Sequence, residues 1–267
     1  MPYASKTKVN SITLLFLCLA LFDGILWFFV FSDRAAGGGT ALYFLDVGQG
    51  DSELIVIPAS RGGRSLKILI DGGPPNGKLL GNLSSILPLD DRYIDLVIMT
   101  HPQLDHFGGF IELLRRYEVG RFIGTGRKGE IAAYQDLEKE LEARHIGYTT
   151  VKEGDTIRYR DAALHTVSPS DADLASGELN DTGIVFLFEQ EGFRALYTGD
   201  IGANIEAEMM KKYNLAAHVL KVGHHGSRFS SSDAFLAAVK PFASVVEVGK
   251  NTYGHPHPAA LARLAAA

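Results

Sequence analysis

The sequence is poor in cysteine, with Cys18 as the only one among 267 residues. No disulfide can form within the chain, and no thiol outside the apolar N-terminal segment can act as a nucleophile. Because Cys18 lies in that segment, cysteine usage says nothing about the redox compartment of the rest. A chain of this length with 46% hydrophobic residues can bury a large core without disulfides.

The sequence also lacks a surplus of positive charge. It has 26 Lys and Arg against 31 Asp and Glu, a formal net charge of −5, and contains no basic run. Proteins that bind nucleic acid through contacts with many phosphates are usually basic. The composition therefore disfavours extended DNA binding by this chain alone, although a metal site can still hold one phosphate.

Residues 12–31 form a long apolar run that is interrupted only by Asp23 and Gly24. Its length matches the hydrocarbon thickness of a bilayer at about 1.5 Å per helical residue. Lys6 and Lys8 precede the run, and this charge bias favours a cytoplasmic N-terminus with the following domain exported. The sequence thus predicts a single-pass protein of the cell membrane.

Three regions follow from this pattern. Residues 1–34 are predicted to be a membrane anchor that contacts the lipid membrane through residues 12–31. Residues 35–40 are predicted to be a flexible linker, and residues 41–267 a single folded domain. A cleaved signal peptide, with its cleavage site at 35–37, is the alternative for the N-terminal segment.

The run His101-Pro-Gln-Leu-Asp105-His106-Phe-Gly-Gly directly follows an apolar, strand-like stretch at 95–100. Imidazole and carboxylate together are ligands for zinc, manganese or iron. Asp105 and His106 are adjacent, so the sequence places them in a loop, since in a strand they would point to opposite faces. The glycines are predicted to turn the chain into a helix. A surface loop that happens to hold these residues is the alternative.

Other acidic and imidazole residues recur where predicted strands end. They are Asp46 and Asp51 in the loop after 42–45, Asp71 after 66–70, Asp200 after 194–197, and His224 and His225 after 219–222. Strands alternate with helical stretches, which favours an α/β (α+β) fold; two sheets with helices outside satisfy this pattern, as do other α/β layouts. If the strands lie in packed sheets, these loops can gather at one edge and form a metal site.

The order Asp-Gly-Gly, His-x-x-x-Asp-His-x-Gly-Gly, Thr-Gly-Asp and His-His-Gly-Ser resembles that of the metallo-β-lactamase superfamily. The segments 44–52, 220–227 and 253–258 are similar to those of one branch, the hydrolase-like domain of ComEC competence proteins and its stand-alone relatives. The resemblance runs from about residue 41 to 264. It implies a four-layer αβ/βα sandwich, here preceded by one predicted transmembrane helix, with the site at the edge where the loops meet.

The resemblance also implies two metal half-sites. The implied ligands are His101, Asp105, His106, Asp181, Asp200, His224 and His225. Asp105, His106, Asp200 and one of His224 and His225 form the second half-site, in which Asp200 can bridge two metals. The first half-site is weaker, because Gln103 stands where many members have His and Asn180-Asp181 occupies the region of another. One tight Zn or Mn ion per chain is expected, with the first half-site left open.

Further residues are expected around the metal or the substrate: Asp46, Gln49, Asp51, Asp71, Asn180, Ser227 and His255. Asp71 is predicted to accept the second N–H of a metal-binding His, with a turn-capping role as the alternative. Gln49 and Asp51 lie on a glycine loop that can approach a ligand, or they serve the turn alone. Asp105, Asp200 and His225 are the expected catalytic residues.

The predicted function is that of a membrane-anchored, metal-dependent hydrolase that acts on a phosphoester substrate, with a phosphodiesterase as the first hypothesis. The resemblance implies a nuclease role in DNA uptake, which would require a separate membrane channel partner. A cell-envelope phosphoester hydrolase, such as a choline-phosphate esterase, is one alternative. A catalytically silent, metal-stabilised binding module is another. A true β-lactamase is disfavoured because Gln103 and Asn180-Asp181 interrupt the imidazole set.

Overall fold

The computed structural model describes residues 19, 21–23, 39–59 and 63–267. Residues 41–56 and 66–267 form one structural unit, and residues 1–40 and 57–65 are assigned to another. The predicted membrane segment 12–31 lies almost wholly outside the described residues. Among the residues that are described, no helix is both long enough and apolar enough to cross a bilayer.

The described strands and helices alternate along most of the chain. The strands are β1 Ala41–Phe44, β2 Glu53–Ile57, β3 Leu66–Ile70, β4 Tyr93–Ile98, β5 Glu118–Gly124, β6 Tyr148–Thr150, β7 Thr156–Tyr159, β8 Ala162–Ser168, β9 Val185–Gln190, β10 Phe193–Tyr197, β11 Val219–Lys221 and β12 Ala243–Val245. The helices are α1 Lys78–Ile86, α2 Leu104–Leu114, α3 Ala132–Ala143, α4 Asp171–Leu174, α5 Ala203–Lys212, α6 Asp233–Val239 and α7 Pro258–Ala266.

The strands form two six-stranded sheets. Their orders are β1-β2-β3-β4-β5-β6 and β12-β11-β10-β9-β8-β7. β3 to β6 run parallel in the first sheet, and β10 to β12 run parallel in the second. Parallel strands end at the same edge, so the loops after β3, β4, β10 and β11 can converge there.

Each sheet buries one face against its own helices. The first core joins β2 to β5 with α1, α2 and α3, and the second joins β8 to β11 with α5 and α6. The opposite strand faces, represented by Ile55, Ile70 and Phe186, are also buried. Because Phe44 of the first sheet stacks on Tyr197 of the second at 6.0 Å, these faces meet each other. The predicted two-sheet α/β sandwich is confirmed for the described residues.

Helix α2 begins earlier than the sequence suggested, at Leu104, so Asp105 lies in the first helical turn and not in a loop. The prediction that Gly108 and Gly109 turn the chain into the helix is wrong, because both are inside it. A Cβ on Gly109 would lie 2.1 Å from the carbonyl oxygen of Gly72. These glycines therefore allow the helix to pack closely against the loop that follows β3.

Candidate metal centre

The residues that were predicted to bind or support a metal converge at the edge where the parallel strands end. Asp71 follows β3, His101 follows β4, Asp200 follows β10 and His225 follows β11. Asp71 and His225 both have left-handed backbones, with φ of 51° and 52°. This conformation is uncommon for residues other than glycine, and it persists here because the surrounding chain holds it.

Asp200 lies at the centre of the cluster and is 1% exposed. Its Oδ2 atom is 3.3 Å from Nε2 of His106 and 3.4 Å from Nε2 of His225. The Nε2 atom of His225 is also 3.4 Å from Oδ2 of Asp105. Two overlapping groups could hold a metal ion: His101, His106 and Asp200, and Asp105, His106 and His225. Asp200 and His106 could therefore each contribute a ligand atom to two neighbouring metal positions.

Hydrogen bonds orient all three buried imidazoles with Nε2 toward the cluster. Thr100 donates through Oγ1 to Asp71 at 2.6 Å, so its oxygen accepts from Nδ1 of His101 at 3.0 Å. Nδ1 of His106 faces Asp71 at 2.7 Å, and Nδ1 of His225 faces the Glu247 carbonyl oxygen at 2.9 Å. A hydrogen bond on one ring nitrogen fixes which nitrogen remains free to bind a metal.

The free atoms at this cluster fit a divalent ion. Nε2 of His101, His106 and His225 and Oδ1 of Asp200 are buried and have no hydrogen-bond partner within the described chain. A buried polar atom without a partner costs free energy. Three imidazole nitrogens and a carboxylate oxygen that converge in this way match the ligand preferences of zinc and manganese.

The protonation of the imidazoles depends on their neighbours. Burial and the nearby His106 lower the pKa of His101 to about 3, so this ring is neutral at physiological pH. Burial also acts to lower the pKa of His225, but the carboxylates of Asp200 and Asp51 outweigh it and raise the pKa to about 10. A metal must displace the proton from Nε2 of His225, so metal affinity there rises with pH.

The Asp105 carboxylate remains ionised beside this imidazole. Burial acts to raise its pKa, but the hydrogen bond with His225 and the charge of His106 lower it to about 2. The carboxylate of Asp105 is therefore anionic at neutral pH and available as a ligand.

Lys221 is a buried part of the centre that the sequence did not predict. Its ammonium forms an ion pair with Asp51 and lies 3.4 Å from the carbonyl oxygen of Gly199. Asp51, Glu53 and Glu247 form a further buried acidic group. Burial raises the pKa of Glu247 to about 8 and that of Glu53 well above its usual range. In the sequence, the only signal was a lysine inside the apolar run at 219–222.

Two predicted residues lie outside the cluster. The Asp181 carboxylate accepts hydrogen bonds from Oγ of Ser176 at 2.9 Å and from Nδ2 of Asn204 at 3.0 Å. The assignment of Asp181 to the first half-site is corrected accordingly, because both its oxygens face these partners. Asp46 is exposed and contacts Nζ of Lys78 at 3.0 Å, so it supports the loop and not the metal.

A cavity of about 380 Å³ opens above the cluster. Its lining residues are Gln49, Pro74, Gln103, Leu104, Asp105, Asn180, Asp200, His224, His225, Tyr253 and His255. Nε2 of Gln103 donates to Oδ1 of Asn180 at 2.6 Å, and Nδ2 of Asn180 lies 3.4 Å from Nδ1 of His224. The rings of His224 and His255 lie 5.4 Å apart. One wall of the cavity therefore consists of the amides of Gln103 and Asn180 and the imidazoles of His224 and His255. This wall faces the candidate metal ligands.

His224 and Ser227 take different places from those of the ligands. Nε2 of His224 is 3.9 Å from Asp200, and a third of its side chain is exposed to the cavity, so of the histidine pair His225 lies deeper. Ser227 is buried, and its Oγ accepts from the backbone N–H of Phe229 at 3.3 Å. Ser227 thus supports the turn and does not line the cavity.

Comparison with known proteins identifies a family and several relatives of this chain. The family model described as Metallo-beta-lactamase superfamily matches residues 46–246. The chain is 33% identical over 233 residues to ComE operon protein 3 of Bacillus subtilis, covering 80% of this chain and 29% of that protein. It is 30% identical over 217 residues to Competence protein ComA of Neisseria gonorrhoeae, covering 79% and 27%. The chain thus spans less than a third of the length of these relatives.

Solved structures show the same fold at low sequence identity. The metallo-beta-lactamase fold protein YhfI from Bacillus subtilis has a TM-score of 0.52 and 12% identity, covering 84% of this chain and 92% of that one. A mutant of the CmlA beta-hydroxylase has a TM-score of 0.52 and 14% identity, covering 84% and 48%. At this identity the likeness concerns the fold alone.

Proposed function

The chain belongs to the metallo-beta-lactamase superfamily, and from that premise we propose that it is a metal-dependent phosphodiesterase. The observation that carries the proposal is the convergence of unpartnered Nε2 atoms of His101, His106 and His225 on Asp200. A phosphodiester substrate is favoured because competence proteins are among its relatives.

Different residues of the chain can assist different steps of the hydrolysis. Asp105, His106, Asp200 and His225 would hold a divalent ion, which would supply Lewis acidity and bring the pKa of a water molecule toward about 7. Asp105 and Asp200 are ionised, so they can accept a hydrogen bond from the attacking water and orient it. His224 and His255 face the cavity and can hydrogen-bond the leaving oxygen. No cysteine or serine nucleophile is required.

The biological setting that we propose is the trimming of DNA during uptake. One relative is named Competence protein ComA and another is named ComE operon protein 3, and the chain spans less than a third of each. In this proposal residues 12–31 anchor the chain in the membrane and the catalytic domain lies outside the cytoplasm. Translocation of the DNA strand then requires a separate channel protein as partner.

The first experiment measures the turnover of bis(p-nitrophenyl) phosphate by the full chain with Mn²⁺, with Zn²⁺ and with a chelator. Hydrolysis should require metal, and Asp105→Ala and Asp200→Ala should each reduce it at least about a hundredfold, since each removes a direct ligand. His145→Asn is the control, because His145 is exposed and Asn tolerates its left-handed backbone. Activity that persists in chelator, or in Asp200→Ala, would refute the proposal.

A further inference from the structure

Tyr253 forms part of the cavity wall and is not used by the proposed chemistry. Its side chain is 74% exposed. The ring lies roughly parallel to that of His255, with 6.2 Å between centroids and 27° between planes. One face of an aromatic ring is therefore presented beside the metal-type residues, where a substrate group could cover it.

The loop that carries Tyr253 is held rigidly by Asn251. The Oδ1 atom of Asn251 accepts from the backbone N–H of Tyr253 at 3.0 Å and from that of His255 at 3.1 Å. Its Nδ2 atom donates to the carbonyl oxygen of Gly249 at 2.9 Å and to that of His255 at 2.7 Å. The backbone that carries the ring is thus held in place before any ligand binds, which reduces the entropy that ordering the loop on binding would cost.

A second loop joins this wall through Gln49. Its Oε1 atom accepts from the backbone N–H of Gly249 at 3.2 Å. The two loops are closely packed, because a Cβ on Gly249 would lie 2.4 Å from the backbone of Gly48. Nε2 of Gln49 is buried and has no hydrogen-bond partner among the described residues, although Gln49 lines the cavity. It is therefore a donor that is ready for a ligand oxygen.

The charge of the cavity sets what such a ligand can be. Of the described residues that line it, none is a lysine or arginine. Only one phosphate can be neutralised at the metal, so the rest of the substrate must gain affinity from other contacts. An aromatic ring with a nearby amide donor suits a planar heterocycle with carbonyl oxygens, because bases stack on aromatic side chains and accept hydrogen bonds at their edges.

We propose that Tyr253 is a specificity-determining residue that stacks on a nucleobase next to the scissile phosphodiester, with Nε2 of Gln49 donating to an oxygen of the same nucleotide. This rests on the proposed function, since it places the scissile group at the metal cluster. It defines the substrate as a short stretch of single-stranded nucleic acid, whose bases are free to unstack. A duplex keeps its bases covered and is excluded from this subsite.

The test compares a fluorescent tetrathymidylate with an oligomer of the same length whose sugars lack bases. Binding is measured by anisotropy at low temperature with Mn²⁺, and hydrolysis is measured separately by product analysis. The full chain should bind the base-containing oligomer roughly 5- to 100-fold more tightly. Tyr253→Ala should lose most of this preference, whereas Tyr253→Phe should keep it. Phe242→Ala is the control, since Phe242 is 93% exposed and precedes β12 at the end opposite the site.

The outcomes separate the two proposals. Preferential binding without hydrolysis of either oligomer would contradict the phosphodiesterase and leave the stacking role standing. Hydrolysis of both oligomers with equal KM, or a preference that survives Tyr253→Ala, would overturn the stacking role alone. Failure of the chain to bind either oligomer would also overturn it.

Discussion

His225 and Asp51 are joined by a contact of 3.0 Å between Nδ1 of the imidazole and Oδ1 of the carboxylate. The other carboxylate oxygen of Asp51 is paired with the ammonium of Lys221, and all three side chains are buried. A buried ion pair between the two sheets therefore lies against an imidazole whose Nδ1 is also directed to the carbonyl oxygen of Glu247. Loss of either member of that pair should lower both the free energy of unfolding and the affinity for metal.

We expect Lys221→Met to destabilise the protein by about 3–5 kcal/mol, because it leaves the buried Asp51 carboxylate without its cation. The double variant Lys221→Met with Asp51→Asn should be destabilised by less than the sum of the single changes, since it leaves no unpaired charge. Urea unfolding of the three variants measures this. Lys139→Met, which removes an exposed ion pair with Asp136, should cost about 0–1 kcal/mol. Strict additivity would contradict the pairing.

We expect Asp71→Asn to weaken metal binding about 10- to 100-fold, because the carboxylate of Asp71 holds Nδ1 of His106 at 2.7 Å. Asp46→Asn is the matched control, since Asp46 follows a strand in the same way but its side chain is 81% exposed and its carboxylate accepts hydrogen bonds from Gly48 and Lys78. Competition titration with a metal-binding dye gives both affinities. Equal affinity of Asp71→Asn and the parent chain would mean that Asp71 serves the turn alone.

Glu247 should make stability depend on pH in a defined window. Burial and the Asp51 charge raise its pKa from 4.5 to about 8. Because the folded state favours the protonated acid, the folded protein loses stability relative to the unfolded chain as pH rises from about 4.5 to about 8.

Glu247→Gln cannot ionise, so it should gain stability relative to the parent chain between pH 5 and pH 8. A gain of about 1 kcal/mol or more corresponds to a Tm difference of roughly 2–4 °C. Thermal melts of both proteins across this window measure it, with the exposed Glu130→Gln as control. A Tm difference between parent and Glu247→Gln that is constant with pH would show that Glu247 is not held protonated in the fold.

The residues that meet at the edge of the sheets were predictable for one physical reason, whereas the two-sheet sandwich itself was implied by the family resemblance. Asp71, His101, Asp200 and His225 each follow an apolar run, and the ends of parallel strands share an edge. The beginning of α2 was not predictable in the same way. Gly108 and Gly109 have the composition of a turn, and only their contacts with Pro75 and Gly72 show that they belong to a helix packed at short range.

The buried charges could not be predicted because they depend on the meeting of two sheets. Glu53 begins β2 and Lys221 ends β11, positions at which a charged residue usually faces solvent. The contacts of Asp181 could not be predicted from the sequence either, because this residue and its neighbour turn to different partners. The adjacent Asn180 hydrogen-bonds to Gln103 across the cavity, whereas the 3₁₀ turn at 180–182 directs Asp181 to Ser176.

The last prediction concerns Gln103, whose Nε2 atom donates to Oδ1 of Asn180 at 2.6 Å. Gln103 closely follows His101 in the chain, and the buried Nε2 atom of His101 has no hydrogen-bond partner among the described residues. We expect about one tight metal ion per chain, at Asp105, His106, Asp200 and His225. Gln103→His should raise affinity for a second ion, because neutral imidazole binds zinc far better than an amide does. Gln103→Ala should leave the tight site nearly unchanged.

Metal titration of the parent chain, Gln103→His and Gln103→Ala, with elemental analysis after dialysis, decides between these outcomes. Loss of the tight ion in Gln103→Ala would mean that the hydrogen bond to Asn180 supports the tight site. No gain in Gln103→His would mean that residue 103, at the N-terminal boundary of α2, does not reach the position next to His101. Two tight ions in the parent chain would mean that His101 and Asp200 complete the first half-site without Asp181.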